Sequence, residues 1–214
     1  MSSTATTLSP FRIFATMTNA NNIPIEQHPL EPFLPSGAKI LMLGSFPPQH
    51  KRWSMEFFYP NRQNDMWRLM GLIFYGNREH FLTTNGNFDK ERIVRFCTEK
   101  GIALYDTASA VRRLKDNASD KFLEVVTPTD IAALLQQIPQ CSAIVTTGQR
   151  ATEVIVNMFG CEMPKVGGVT DVVIEGRTVQ FWRMPSSSRA YPLALEKKAE
   201  AYKEMLLAQG VLQI

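Results

Sequence analysis

The sequence predicts an α/β fold: a three-layer α/β/α sandwich around a mainly parallel sheet of four to five strands. Three observations lead there. The runs Ile40 to Leu43, Ile102 to Tyr105 and Ser142 to Thr146 are apolar without alternation, as strands covered on both faces are. Segments of helical length and amphipathic pattern lie between these runs. The runs break at Gly44-Ser45, Asp106 and Gly148, which sets the following loops at one edge of the sheet.

The elements follow in order. His28 to Gly37 is Pro-rich and reads as an extended lead-in. Ala38 to Leu43 is the first strand. Asp65 to Phe74 is a helix with Asn64 or Asp65 near its N-cap. Lys90 to Lys100 is a second helix, stopped by Gly101, and Ile102 to Tyr105 is a short strand ending at Asp106. Ala108 to Leu123 begins polar and basic and reads as a loop with helical turns. Thr129 to Gln137 is amphipathic, with Thr127 or Thr129 as cap and Pro128 or Asp130 in the first turn. Ser142 to Thr146 is a third buried strand, followed by a helix over Gly148 to Met158. Val172 to Glu175 and Thr178 to Arg183 flank Gly176, which predicts a hairpin or a bent strand. Ala194 to Gln209 is the last helix, ended by Gly210.

The chain of 214 residues suits one domain, taken as 22–214. Residues 1–21 carry no acidic group and are rich in Ser, Thr and Asn; they read as a disordered or non-native start, with Met17 as an alternative initiator. A hydrophobic fraction of 44% and a charged fraction of 20% are those of an ordinary globular protein, and no run is long enough to span a bilayer. The net charge of +3 allows a polyanionic partner without requiring one. Cys97, Cys141 and Cys161 are widely spaced, which argues against a cysteine-held metal and for reduced thiols in an intracellular compartment. In a bacterium that would be the cytoplasm, near the nucleoid. A monomer is expected.

The richest stretch is Ile40 to Trp67, ILMLGSFPPQHKRWSMEFFYPNRQNDMW. A strand breaks at Gly44-Ser45, is stiffened by Pro47-Pro48, and delivers Phe46, Trp53, Phe57, Phe58, Tyr59, Asn61, Asn64 and Trp67. Aromatic faces stack on flat heterocycles, and primary amides read their edges or position a water. A second strand-to-loop break, FWRMPSSSRAYP, runs from Phe181 to Pro192. Together the two loops predict a nucleobase pocket with a phosphate grip beside it.

These motifs resemble the uracil-DNA glycosylase superfamily, nearest to its hypoxanthine-DNA glycosylase and mismatch-specific uracil glycosylase branches. Gly44-Ser45-Phe46-Pro47 is similar to a G-S-x-P first motif. Tyr59-Pro60 with Asn64-Asp65-Met66-Trp67 is similar to an H-P-x-N-x-F-W segment. Gly101 to Asp106 looks like the second strand, and Met184 to Ser188 like a phosphate-gripping P-S loop. The resemblance implies a monofunctional DNA glycosylase of base excision repair, acting on a deaminated base (uracil, hypoxanthine or xanthine) in DNA, with no metal or other cofactor. It assigns catalysis to Asn64, with Asn61 as second amide. It assigns base binding to Gly44, Ser45, Phe46, Pro47, Phe58 and Tyr59, and DNA binding to Pro185, Ser186, Ser187, Ser188 and Arg189. Many superfamily members carry Asp or Asn where this chain has Phe46, so no carboxylate activator is evident in the first motif.

Each residue also has a plainer reading. Asn64 could cap the helix after it, the aromatics could be core, and Asp106 could end a strand. Arg189 could be a solvated cation, a duplex-entering wedge or a phosphate clamp. Lys51, Arg52, Arg112, Arg113 and Lys115 are read as loop cations near the sheet edge. Of the histidines, His50 alone invites a test. Two rival classes stand beside the glycosylase: a weak or inactive DNA-binding member of the same superfamily, and a nucleotide-binding α/β enzyme of other chemistry. The second lacks a G-x-G-x-x-G or Walker loop.

Overall fold

The computed structural model describes residues 23–115 and 120–213. The segment read as a non-native start lies outside them. Five strands form the central sheet: β2 (Ile40–Gly44), β3 (Ile102–Asp106), β6 (Ala143–Thr147), β7 (Val169–Ile174) and β8 (Arg177–Met184), in the order β3-β2-β6-β8-β7. The first four in that row are parallel and β7 is antiparallel to β8. Every residue of β2, β3 and β6 is buried, which is why their sequences read as unbroken apolar runs. β7 alternates exposed and buried positions, as an edge strand does. Its hairpin turns at Glu175 and Gly176, with φ of 49° and 78°, the two positive values that a primed two-residue turn needs.

The helices are α1 (Met66–Tyr75), α2 (Lys90–Lys100), α3 (Ile131–Gln137), α4 (Gln149–Phe159) and α5 (Leu195–Ala208). The chain leaves β2 toward β3 on one side, then crosses back through α3 to β6 and through α4 to β8. Parallel crossovers are right-handed, so these two directions put helices on opposite faces. α1 packs against α5, closing one outer layer. Glycines end α1, α2 and α4 at Gly76, Gly101 and Gly160, all in left-handed conformation. For α3, the cap is Asp130, whose carboxylate accepts from Ala133 N–H at 3.0 Å. Thr129 is not the cap; its hydroxyl donates instead to the Asp106 carbonyl at 2.7 Å.

The segment from Ala108 corrects the sequence reading. A loop with helical turns was expected over Ala108 to Leu123. The chain instead forms β4 (Ala108–Arg113), paired with β1 (Ile25–Gln27) and β5 (Leu123–Pro128) in a three-stranded antiparallel sheet. Among the described residues of the segment, only a short turn at Asp120–Phe122 is helical in kind. The strand is hidden because its cations are neutralised across the sheet. Arg113 is forked onto Glu26 at 2.9 to 3.3 Å, and Arg112 meets Glu124 at 3.1 Å. Ala108, Val111 and Leu123 make a second small core, which Phe46 completes. Among the described residues, no helix is long and apolar enough to cross a membrane.

Candidate active site

The site lies where strand order reverses. Connections leave β2 and β6 in opposite directions, and a crevice opens above the carboxyl ends of that pair. It is a cleft of about 1220 Å³, lined by Gly44–Pro48 after β2, Phe58–Asn64 before α1, Thr147–Glu153 at the start of α4, and Ser186–Tyr191 after β8. Of the thirteen residues singled out from the sequence, twelve line it. The exception is Pro185, which sits behind the wall and accepts a hydrogen bond from the Tyr202 phenol at 2.9 Å.

The aromatic wall is fixed from behind. Phe46 and Phe58 are buried, with only part of each ring reaching the cleft. Tyr59 holds a left-handed φ of 52°, a strained value for an aromatic residue. Its surroundings impose it. The Trp67 indole N–H donates to the Phe58 carbonyl at 3.0 Å, and Ser54 donates twice to the Pro60 carbonyl. The Tyr59 hydroxyl meets the Thr147 hydroxyl at 3.2 Å, which ties this loop to the end of β6. Burial, and next the Asp106 carboxylate, push the Tyr59 phenol well above its ordinary pKa. It is therefore neutral at any working pH.

The amides and the serine loop meet although they lie more than a hundred residues apart in sequence. Asp65 N–H donates to the Ser187 carbonyl at 2.8 Å, Arg189 N–H donates to the Gln63 carbonyl at 2.9 Å, and Asn64 and Ser188 form a β-bridge. From below, α5 supports the same loop through two side chains one turn apart. Buried Lys198 donates to the Ser188 carbonyl at 2.7 Å, and Tyr202 holds Pro185. The Asn64 side-chain oxygen accepts from Met66 N–H at 2.9 Å, so the capping reading is correct as far as it goes. That bond uses one lone pair and locks the rotamer. The second lone pair and both amide hydrogens remain for a substrate. Asn61 is spent similarly, its side-chain oxygen accepting from Gln63 N–H at 2.9 Å.

Ser186 and Ser188 accept from Ser188 N–H and Ala190 N–H at 3.2 and 3.3 Å. Their hydroxyl hydrogens stay available to an anionic oxygen. Ser187 is buried and contributes its main chain. Replacing Ser186 and Ser188 together by Ala is expected to weaken DNA affinity by about 1–3 kcal/mol, measured by titration at fixed salt. Unchanged affinity would remove the loop from the DNA contact surface.

Arg189 is not free to act as a wedge in this structure. Its guanidinium binds Asp65 at 2.7 and 3.2 Å, Gln63 at 3.3 Å and the Arg62 carbonyl at 3.2 Å. Its side chain is 45% exposed, whereas that of Asp65 is 9% exposed. The contact fastens the serine loop to the amide loop. Arg189→Ala is expected to cost about 1–2 kcal/mol in chemical denaturation, since a nearly buried carboxylate loses its closest partner. Base release should fall equally on single strands and matched duplexes. A loss confined to duplex would restore the wedge.

Sequence reasoning set aside the group at the floor of the cleft. Asp106 ends β3, directly beside Gly44, and is 7% exposed. His28 lies behind it with 2% side-chain exposure, and its Nε2 is 2.9 Å from Asp106 Oδ2. Its Nδ1 lies 2.8 Å from the Leu30 carbonyl and 3.2 Å from Leu30 N–H. With Nε2 carrying the donated proton, the ring is satisfied whether neutral or charged. The imidazole packs edge-on to Phe46 at 5.3 Å and against Tyr105 at 4.5 Å. The only available signal was the isolated carboxylate at a strand end. His28 sits in the Pro-rich lead-in with no motif around it, and its partner is 78 residues away. His50, the histidine favoured from sequence, instead pairs on the surface with Glu56 at 2.7 Å.

A second carboxylate, Asp120, stands at the rim. Surrounding protein atoms and the Asp106 charge raise its pKa, against the pull of Ser45, Arg113 and Arg150. Although its carboxyl is packed about in this way, the residue keeps an exposed surface. Arg52, Lys121, Arg150 and Arg189 supply positive charge around the opening. Arg113 also lines the cleft but is buried; it donates to the Pro47 carbonyl at 3.1 Å, bracing the first-motif loop. The uncapped N-terminus of α4 adds partial positive charge next to Ser186.

The fold has a known counterpart. A solution NMR structure of a Methanosarcina acetivorans protein, provisionally assigned as a uracil DNA glycosylase, superposes with a TM-score of 0.58. The match covers 86% of this chain and 99% of that one, at 22% identity. The likeness is one of fold. No protein-family model and no curated protein matches the sequence.

Proposed function

We propose that this protein is a DNA glycosylase that hydrolyses the N-glycosidic bond of a deaminated base. The observation that carries the reading is the joining of two unlike surfaces in one cleft. One end is a tight aromatic chamber with a buried carboxylate. The other is a hydroxyl-bearing loop with cations around it. A flipped nucleotide has that polarity: a flat base at one end and phosphates at the other. The related fold, whose solved example is provisionally assigned as a uracil DNA glycosylase, supports the same choice.

The chain's groups divide the work. Ser186, Ser188 and the start of α4 hold phosphates and position the strand. The aromatic wall of Phe46, Phe58 and Tyr59 takes the extruded base by stacking and excludes water from it. The departing base leaves as an anion from an oxocarbenium-like sugar, and neutral donors can stabilise that anion without protonating it. The Asn64 amide, held by Met66 N–H, is the donor nearest the phosphate end and orients the attacking water. No metal or organic cofactor takes part. The enzyme acts as a monomer on DNA inside the cell, in base excision repair.

A panel of labelled oligonucleotides tests this reading. Each carries one uracil, hypoxanthine or xanthine, as a single strand or in matched and mismatched duplexes, and alkali then cuts at any abasic site. Cleavage dependent on at least one deaminated base is expected. Hydrolysis of free nucleotides without action on DNA would favour the other chemistry.

A further inference from the structure

A smaller pocket of about 330 Å³ opens beside the cleft. The two share Phe46, Pro47 and Pro48, so one ridge of the first-motif loop walls both. The rest of the small pocket includes Gln49, His50 and Trp53 from the turn after that loop, and Glu26 from β1. Trp53 belongs to the aromatic stretch but does not line the cleft. Its indole N–H donates to the Pro48 carbonyl at 2.7 Å. The His50 ring lies 5.0 Å from the indole, at 35° to it, and is itself held by Glu56. Both rings are held in place without a ligand, which lowers the ordering cost of stacking one there. The ridge is braced as well, since Arg113, forked onto Glu26, donates to the Pro47 carbonyl. Gln49 Oε1 is buried and, among the described residues, has no hydrogen-bond partner. A turn of that amide toward a donor-bearing ligand would remove the cost. The volume is at the small end for ligand sites, room for one flat ring system. Arg52 stands between His50 and Trp53 in sequence yet lines the cleft, so the same turn serves both openings and carries a cation toward the cleft.

We propose that this pocket takes the base of a nucleotide adjoining the damaged one on the same DNA strand, stacked on Trp53 and His50, with the linking phosphate beside Arg52. The proposal rests on the glycosylase reading and gives it a second nucleotide subsite. The shared ridge sets the two openings side by side, so a strand whose damaged base enters the cleft carries its next base to the ridge. Stacking on an aromatic face tolerates every base, since each has a π-face. The Gln49 oxygen and the Glu26 carboxylate are acceptors, and they add a preference for bases bearing an amino group. A base seated here has left its own stack and pair, so the subsite acts most readily on single strands and locally opened DNA. The base across a duplex is the rival source, but it hangs from a backbone that the cleft does not draw in.

The test is a binding scan on single-stranded oligonucleotides. Each carries one 2′-fluoro nucleotide of uracil or hypoxanthine, which resists glycosidic cleavage, and one abasic tetrahydrofuran residue placed in turn at each nearby position on either side. With wild-type protein, one of the two adjoining positions is expected to stand out, loss of its base weakening affinity by about five- to a hundredfold. Trp53→Ala should flatten the scan at that position. His50→Ala, a change at an exposed side chain, should lower the peak in part. Each scan is a ratio within one variant, so a partly unfolded sample does not alter it. In a matched duplex, the base opposite the damaged one is removed in parallel. A flat wild-type scan, an undiminished peak in Trp53→Ala, or a Trp53 dependence seen only for the opposite base overturns the proposal. Base release from strands carrying uracil, hypoxanthine or xanthine is measured alongside. A Trp53-dependent peak without release leaves the subsite standing and rejects the glycosylase, whereas release with a flat scan does the reverse. Absence of binding to every strand overturns both.

Discussion

Asn64→Ala is expected to lower single-turnover base release by about two to three orders of magnitude, the usual cost of removing one preorganised donor from a charge-developing site. DNA affinity should change little, because phosphate contact belongs to Ser186, Ser188 and the cations. Stability should fall by only about 1 kcal/mol, the value of the bond to Met66 N–H at the start of α1. Asn61→Ala should lose far less, since the oxygen of that amide serves a turn ahead of the helix rather than the helix start. The pair is informative because the two residues share chemistry and neighbourhood. A dead Asn61→Ala beside an active Asn64→Ala would move the catalytic role to the other amide.

Gly44→Ala is expected to be nearly as damaging, by another route. The new methyl would stand 2.3 Å from Asp106 Oδ1 and 3.5 Å from its Cγ. The carboxylate cannot swing aside freely, because His28 holds its other oxygen and Asp106 is buried at the cleft floor. Overpacking of this kind costs about 1–3 kcal/mol in stability, readable by denaturant titration. Base release should fall at least tenfold, as Asp106 and the neighbouring Tyr59 are displaced. Adding Asp106→Ala to Gly44→Ala should restore stability without restoring release. Full activity in Gly44→Ala would mean that the position of Asp106 is unimportant.

Much of this molecule was legible in its sequence because buried parallel strands and glycine-stopped helices have local signatures. β2, β3 and β6 read as apolar runs, and α2 is stopped by Gly101 at the residue expected. β4 was not legible, for a physical reason. Its arginines look solvated in one dimension, and only pairing with Glu26 and Glu124 in three dimensions buries or neutralises them. The cleft followed the same division. Phe46, Tyr59, Asn64 and Ser186 lie in dense local motifs and converge as expected. Arg189 was placed correctly in the loop, but its commitment to Asp65 depends on a contact spanning 124 residues. The His28–Asp106 pair was not legible as a pair: Asp106 closes the Gly101 to Asp106 motif, but His28 stands in none, and only the β2–β3 pairing brings the carboxylate under Gly44.

The most direct single measurement is the product analysis of a reaction run in ¹⁸O-labelled water. Purified wild-type protein is incubated with an oligonucleotide carrying one deaminated base, and products are resolved by mass spectrometry. The expected result is an intact free base and an unbroken strand with an abasic sugar, the label sitting at C1′ of that sugar. A nicked strand, a released nucleotide, or bound DNA that stays unchanged with uracil, hypoxanthine and xanthine alike would contradict a glycosylase.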